Sequence, residues 1–296
     1  MLTQAASVNL IQGEADKAVP RFTRAFLTTV SGLRAKVTDS MVAEDLGPGE
    51  PVETLSVLDG WRVTKAQTQE PVSLYADVMS GVAIGTAEAV EGWVTSDDFA
   101  ALRVQSPFVH QAAEQLAARL VTNVTDETRK AIREIIRQAW MDGIPPAESA
   151  KLVRDTVGLT ARQASQLSAF HRNVQGQDNA RKLVSDLSKR LLNDRAVMIA
   201  RTETIFAANR GQQLAWQEMR AQGVLPSGFR QVWITTPDDR LCETCAPMSG
   251  QTVQLNQQFV SSQRGVLPSE RVAYLGGTVT SPPLHPQCRC ALGAEF

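Results

Sequence analysis

Pro237-Asp238-Asp239-Arg240-Leu241-Cys242-Glu243-Thr244-Cys245 and, further along, Pro282-Pro283-Leu284-His285-Pro286-Gln287-Cys288-Arg289-Cys290 hold all four cysteines of the chain and one of its three histidines. Zinc favours four thiolate and imidazole ligands at the corners of a tetrahedron. A Cys-x-x-Cys turn presents two ligands, and a second cluster on a distant segment closes the site. Cys242 and Cys245 make the first half, and His285, Cys288 and Cys290 offer three donors for the second. Four of these five would bind, the spare being His285 or one of the last two cysteines. A closed site of this kind is structural, because it leaves no position for a reacting water. It would tie the C-terminal tail to the loop after Trp233. A bound metal can add several kcal/mol to a small sheet that has little core of its own. Three other readings stand beside it. The thiols can be free and buried, Cys242 and Cys245 can be a redox pair, or Cys288, His285 and Asp239 can form a nucleophile set. No thioredoxin-like strand-then-helix context surrounds the pair.

Working outward, Arg230 to Thr235, Gln251 to Leu255 and Gly276 to Thr280 are strand candidates, with the cysteine loops at the ends of a small sheet. Upstream the pattern is helical. Asp178 to Gln222 reads as helix, broken at Asn193-Asp194, with a small-residue row of Ala200, Ala207, Ala208, Gly211 and Ala215 suited to close helix packing. Thr160 is an N-cap candidate for a helix ending near Gly176. Pro145-Pro146 opens another that runs to Gly158. Thr125, followed by Asp126 and Glu127, reads as the start of a helix carrying Ile132, Ile135, Ile136, Ala139 and Trp140 on one face. The last three helices have the outline of a helix-turn-helix, without a net-basic recognition helix. Residues 1–40 and 72–120 read as helix, weakened at Met79-Ser80-Gly81 and Gly85. Residues 41–75 read as loop or short strands, such as Thr54 to Leu58. His110 and His171 stand alone near helix surfaces as structural or solvated residues. Trp61, Trp93, Trp140, Trp216 and Trp233 are scattered and read as contact residues rather than a base-stacking platform. The expectation is an α+β chain: a mainly helical N-terminal and central body, then a small C-terminal mixed sheet module open to stapling by zinc. Its divisions are expected at residues 1–110, 111–228 and 229–296.

Composition is that of a soluble protein, 43% hydrophobic and 21% charged over 296 residues. No apolar run approaches the ~18 residues of a membrane helix. The start lacks a basic region followed by an apolar core, so a secretory signal is not expected. A reducing compartment then favours metal ligands or free thiols over disulfides. The net charge of −1 conceals an asymmetry. Residues 1–110 carry 8 basic and 14 acidic side chains, and residues 160–230 carry 11 basic and 5 acidic, a net of +6. That polarity suits an anionic partner such as DNA, or simply solvated helix faces.

The order Ala200-Arg201-Thr202-Glu203-Thr204, Asn209, a Trp strand, the Cys242 loop, Gly250, Phe259 and the His285 loop resembles the Mu F-like phage head morphogenesis family over residues 110–292. The resemblance implies a bacteriophage minor head protein of the virion, not an enzyme, located inside or at the portal vertex. It implies a role in head assembly, DNA packaging or DNA ejection. Its partners would be the portal protein, the major capsid protein and double-stranded DNA, with several copies in each particle. The N-terminal region would dock on portal or capsid. Position by position, the family motif falls on Arg201, Glu203, Asp239, Cys242, Cys245, His285, Cys288 and Cys290. Arg201, Glu203 and Asp239 are read as a structural polar network, since Arg201 and Glu203 lie two apart on a helix and do not face each other. The family has also been compared with ADP-ribosyltransferases, which supplies the alternative of an NAD-dependent or toxin-type enzyme on the same module.

Overall fold

The structure is a computed structural model describing residues 3–37, 41–42, 65–89, 106–236, 241–261 and 278–295. Thr54 to Leu58, Trp61, Trp93, Asp239 and the first two residues of the Gly276 strand candidate lie outside these. The described helices are α1 (Gln4–Arg34), α2 (Lys65–Glu88), α3 (Pro107–Met141), α4 (Pro146–Thr156), α5 (Ala161–Val174) and α6 (Ala180–Ala221). The strands are β1 (Arg230–Ile234), β2 (Thr252–Gln254), β3 (Val260–Ser261), β4 (Thr278–Val279) and β5 (Ala291–Glu295). The architecture is α+β, and no described helix is long and apolar enough to cross a membrane. The chain forms two compact units. One gathers residues 1–22, 71–116 and 198–296, and the other residues 23–70 and 117–197.

Two helices run on where the sequence suggests an end. Thr125 does not cap a helix: α3 continues through it as a single 35-residue element. The neighbouring threonines explain how. Thr122 and Thr128 donate their hydroxyls to the carbonyls of Ala118 and Val124, four residues back, so each is satisfied inside the helix. Likewise α6 passes through Asn193-Asp194 as one 42-residue helix. Asn and Asp lower helix propensity by only ~0.7 kcal/mol each, and the flanking Leu192 and Ala196 are buried and hold the backbone. The reading at Thr160 is borne out by a full capping box: its hydroxyl accepts from the Gln163 N–H, and the Gln163 side chain accepts from the Thr160 N–H.

The 23–70 and 117–197 unit is built on an apolar cluster that includes Ile132, Ile135 and Ile136 of α3, Leu152 and Val153 of α4, and Ala164 and Leu167 of α5. Beside it Arg34 is largely buried, and desolvation lowers its pKa against the opposing pull of Asp155. It donates to the carbonyls of Val157 and Asp155 and to Ser188 Oγ, satisfying orphan carbonyls at the end of α4. Gly158, at φ +86, turns the chain there, and its carbonyl accepts from Arg195 at 2.8 Å. His171 is buried and sits 2.9 Å from Glu148, whereas His110 is exposed.

In the other unit, α2 stays helical through Gly81 and Gly85 because both are packing positions. A Cβ on Gly81 would meet the Glu14 carboxylate at 2.8 Å, and one on Gly85 would meet Leu10 at 2.9 Å. At Gly211 on α6 an added Cβ would run into the backbone carbonyl of Met79 on α2. The small-residue row is therefore a close helix–helix seam, with Ala200, Ala207, Ala208 and Ala215 all buried. Tyr75 packs edge-on against Phe22, and Trp216 against Phe229, at centroid separations of 5.0 and 5.2 Å. The sheet is antiparallel in the order β2-β1-β5, with Trp233 opposite Leu292 and Ile234 opposite Ala291. β3 and β4 pair separately. β5 forms without a local signal: Ala291-Leu292-Gly293-Ala294-Glu295 has little strand propensity. It is a strand because β1 has an edge for it, and Gly293 fits where a Cβ would strike Ile234 and Val232.

Candidate metal centre

The register of β1 and β5 explains how two remote clusters meet. Ile234 ends β1 opposite Ala291, which begins β5, so the chain leaving β1 and the chain entering β5 emerge from the same end of one ladder. Cys242 and Cys245 follow the first, and His285, Cys288 and Cys290 precede the second.

Each loop is folded by its own backbone. The N–H groups of Cys245 and Ala246 both donate to the Cys242 carbonyl, and the Cys245 N–H also reaches Cys242 Sγ at 3.4 Å. The Cys288 N–H donates to the His285 carbonyl. Between them Gln287 is left-handed at φ +61, and its N–H is held by Thr202 Oγ1 at 3.0 Å. The Pro282-Pro283 bond is cis.

The donors form two overlapping triads, Cys242–Cys245–His285 and Cys245–Cys288–Cys290, each with ligand atoms within 4.8 Å of one another. His285 Nε2 lies 3.0 Å from Cys242 Sγ and 3.1 Å from Cys245 Sγ. Cys245 and Cys288 sulfurs are 3.7 Å apart. Thiolates bound to zinc at ~2.3 Å stand about 3.8 Å apart along a tetrahedron edge. The Nδ1–H of His285 donates to the Pro286 carbonyl at 2.8 Å. A carbonyl only accepts, so the proton is on Nδ1 and the Nε2 lone pair faces the sulfurs, the tautomer a metal ligand needs.

Electrostatics mark the same cluster. Burial pushes the Cys242 thiol up, but hydrogen bonds from Cys245 and the nearby His285 outweigh it and leave its pKa lowered. Hydrogen bonds from Cys245 and Cys290 hold Cys288 well below the usual thiol range, against the opposing effect of burial. Cys245 is pushed far up by hydrogen bonds with Cys288 and Cys290 and by desolvation. Cys245 acts on Cys290 downward, while Cys288 and burial raise it more, to about 12. The three buried sulfurs thus differ in how tightly they hold a proton, Cys288 least and Cys245 and Cys290 more than usual, and a cation among them would favour the thiolate on each. All four cysteines are free of disulfides.

Residues outside the two loops hold them in place. Asn209 is fully buried on α6; its Oδ1 accepts the Leu292 N–H at 2.8 Å, and its Nδ2 donates to the carbonyls of Ile205 and Cys290. Thr202 and Asn209 are seven apart on one helix face, so α6 grips the second cysteine loop at two points. On α1, Gln12 donates to Thr236 Oγ1 and to the Arg289 carbonyl. Gln213 and Gln231 are buried and bonded to each other and to the Thr280 carbonyl. The amide and hydroxyl spacing on α6 was in the sequence, but its partners on the loops were not readable from it.

Arg201 and Glu203 are not brought together. Arg201 is exposed, and Glu203 is buried and accepts from the Tyr75 hydroxyl at 2.7 Å. Asp239 lies outside the described residues.

The family model for Phage Mu protein F like protein matches residues 130–293. No curated protein and no solved structure gives a significant match. With more than half of the chain matched, including both cysteine loops and the helix that grips the second, the chain belongs to the Phage Mu protein F like family.

Proposed function

We propose that this is a minor head protein of a tailed bacteriophage, acting in head morphogenesis at the portal vertex. Its membership of the Phage Mu protein F like family carries the reading. Head assembly, DNA packaging and DNA ejection are the stages at which such a component acts. The portal protein and the major capsid protein are the partners we infer, with several copies per particle in the virion. Double-stranded DNA is a further partner, inferred from the net +6 of residues 160–230.

In this reading the cysteine–histidine centre holds structural zinc through four of Cys242, Cys245, His285, Cys288 and Cys290. The donor types, the 3.7 Å sulfur edge and the Nε2 lone pair turned toward the sulfurs fit that ion. When bound, zinc would tie the segment after β1 to the segment before β5. Function then lies in the surfaces of the clasped module rather than in a reaction at the metal. The ADP-ribosyltransferase alternative asks Glu203 to face a substrate; buried against Tyr75, its carboxylate serves as a packing contact between α6 and α2.

The test is a phage lacking this gene, complemented by the intact protein or by Cys242→Ser. The complemented heads should contain the protein and the defective heads should be non-infectious. Infectious heads that never contain it would overturn the reading.

A further inference from the structure

Trp233 is fully buried in the central strand, stacked edge-on against Phe259 at 5.3 Å, and its indole Nε1–H makes no completed hydrogen bond. A buried N–H without a partner has given up its water for nothing, so it calls for an acceptor. The register points to one. Trp233 is opposite Leu292, so the two share a face of the sheet. Cys290 immediately precedes β5; its carbonyl and the Leu292 N–H both meet the Asn209 amide, so the backbone runs on extended and the Cys290 side chain falls on the Leu292 face. Its sulfur is the polar group beside the indole, and Trp233 lowers the Cys290 pKa, a small effect among larger ones from Cys245 and Cys288. A neutral thiol is a weak acceptor for an N–H, whereas a thiolate is a strong one.

We propose that Trp233 is a positioning residue of the metal centre, its indole N–H donating to the Cys290 thiolate, so that Cys290 is one of the four ligands. The inference rests on the metal reading above. On metal binding the Cys290 S–H bond breaks, its proton goes to solvent and the sulfur lone pair forms the metal bond. The N–H then has the charged acceptor that completes its hydrogen bond. The spare donor belongs among the remaining four.

Cobalt(II) titration of the full chain tests this. Wild type should show sulfur-to-cobalt charge transfer in the near ultraviolet. Trp233→Phe keeps the ring and removes the N–H, and it should weaken cobalt binding about 10-fold. It should also move the charge-transfer band to longer wavelength, because a sulfur without its donor holds its electrons less tightly. A packing role alone would not shift that band. In wild type loaded with cadmium-113 and labelled at tryptophan, one of the five indole protons should show scalar coupling to the metal. That measurement stands even if the variant does not fold. Cadmium binding with no coupled indole proton, or cobalt binding with an unshifted band in a folded Trp233→Phe, overturns this proposal alone. A wild type that takes up no metal overturns the metal reading and this proposal with it.

Discussion

Asn209 shows how much one side chain can carry in this protein. Its amide is both donor and acceptor, and it spends both on the start of β5: the Leu292 N–H and the Cys290 carbonyl. Asn209→Ala would leave a buried backbone N–H with no acceptor, at a cost of about 2 kcal/mol. Urea denaturation should show that loss as a lowered midpoint with an unchanged slope. An unchanged midpoint would mean that water replaces the amide. Its presence in the sequence motif was legible, because an Asn inside an otherwise apolar helix face stands out. Its role was not, because both partners are backbone groups more than eighty residues away. The cysteines and His285 were legible as ligand candidates because their types and spacing are themselves the chemistry. Which sulfur an indole supports depends on strand register.

At the scale of elements, the packing of α6 on α2 turns on Gly211. Substituting alanine ordinarily improves a helix interior by roughly 1 kcal/mol. Here the new Cβ would meet the Met79 backbone, which cannot rotate away as a side chain can. Gly211→Ala should therefore destabilise by roughly 1–3 kcal/mol net, read as a fall in melting temperature. A rise would show that the two helices can separate without penalty. The same element shows why caps mislead. Thr160 is legible as a cap because its capping box is closed within four residues. Thr125 and Asp194 carry the same residue preferences, but α3 and α6 run through them. At Asp194 the buried Leu192 and Ala196 outweigh a weak local preference for an end, and at Thr125 the neighbouring threonines are satisfied within the helix. β5 is the converse case: alanine and glycine do not announce a strand, and pairing with β1 makes one.

For the molecule as a whole, two outcomes are expected. Chelation should speed hydrogen exchange at amides of the β1–β5 ladder, including Trp233 and Leu292, while amides of α4 and α5 stay protected. The donors cluster at the open end of that ladder, and α4 and α5 draw on a separate apolar core. Exchange that is unaffected anywhere would count against a structural metal. Binding to double-stranded DNA, if driven by residues 160–230, should weaken steeply with salt, because each phosphate contact releases counterions. A flat salt response would remove DNA from the partners.

The sequence by itself determined the helical character of most of the chain, the α5 cap, the small-residue seam and the set of five candidate metal donors. Those properties depend on residue type and on spacing within a few turns, and no distant contact is needed to read them. The tertiary structure alone decided that β5 pairs with β1, that α6 grips the second cysteine loop through Thr202 and Asn209, and that Glu203 is buried against Tyr75. Each depends on which distant backbone arrives opposite a given side chain. Strand register and helix packing set that, and local propensity does not encode either.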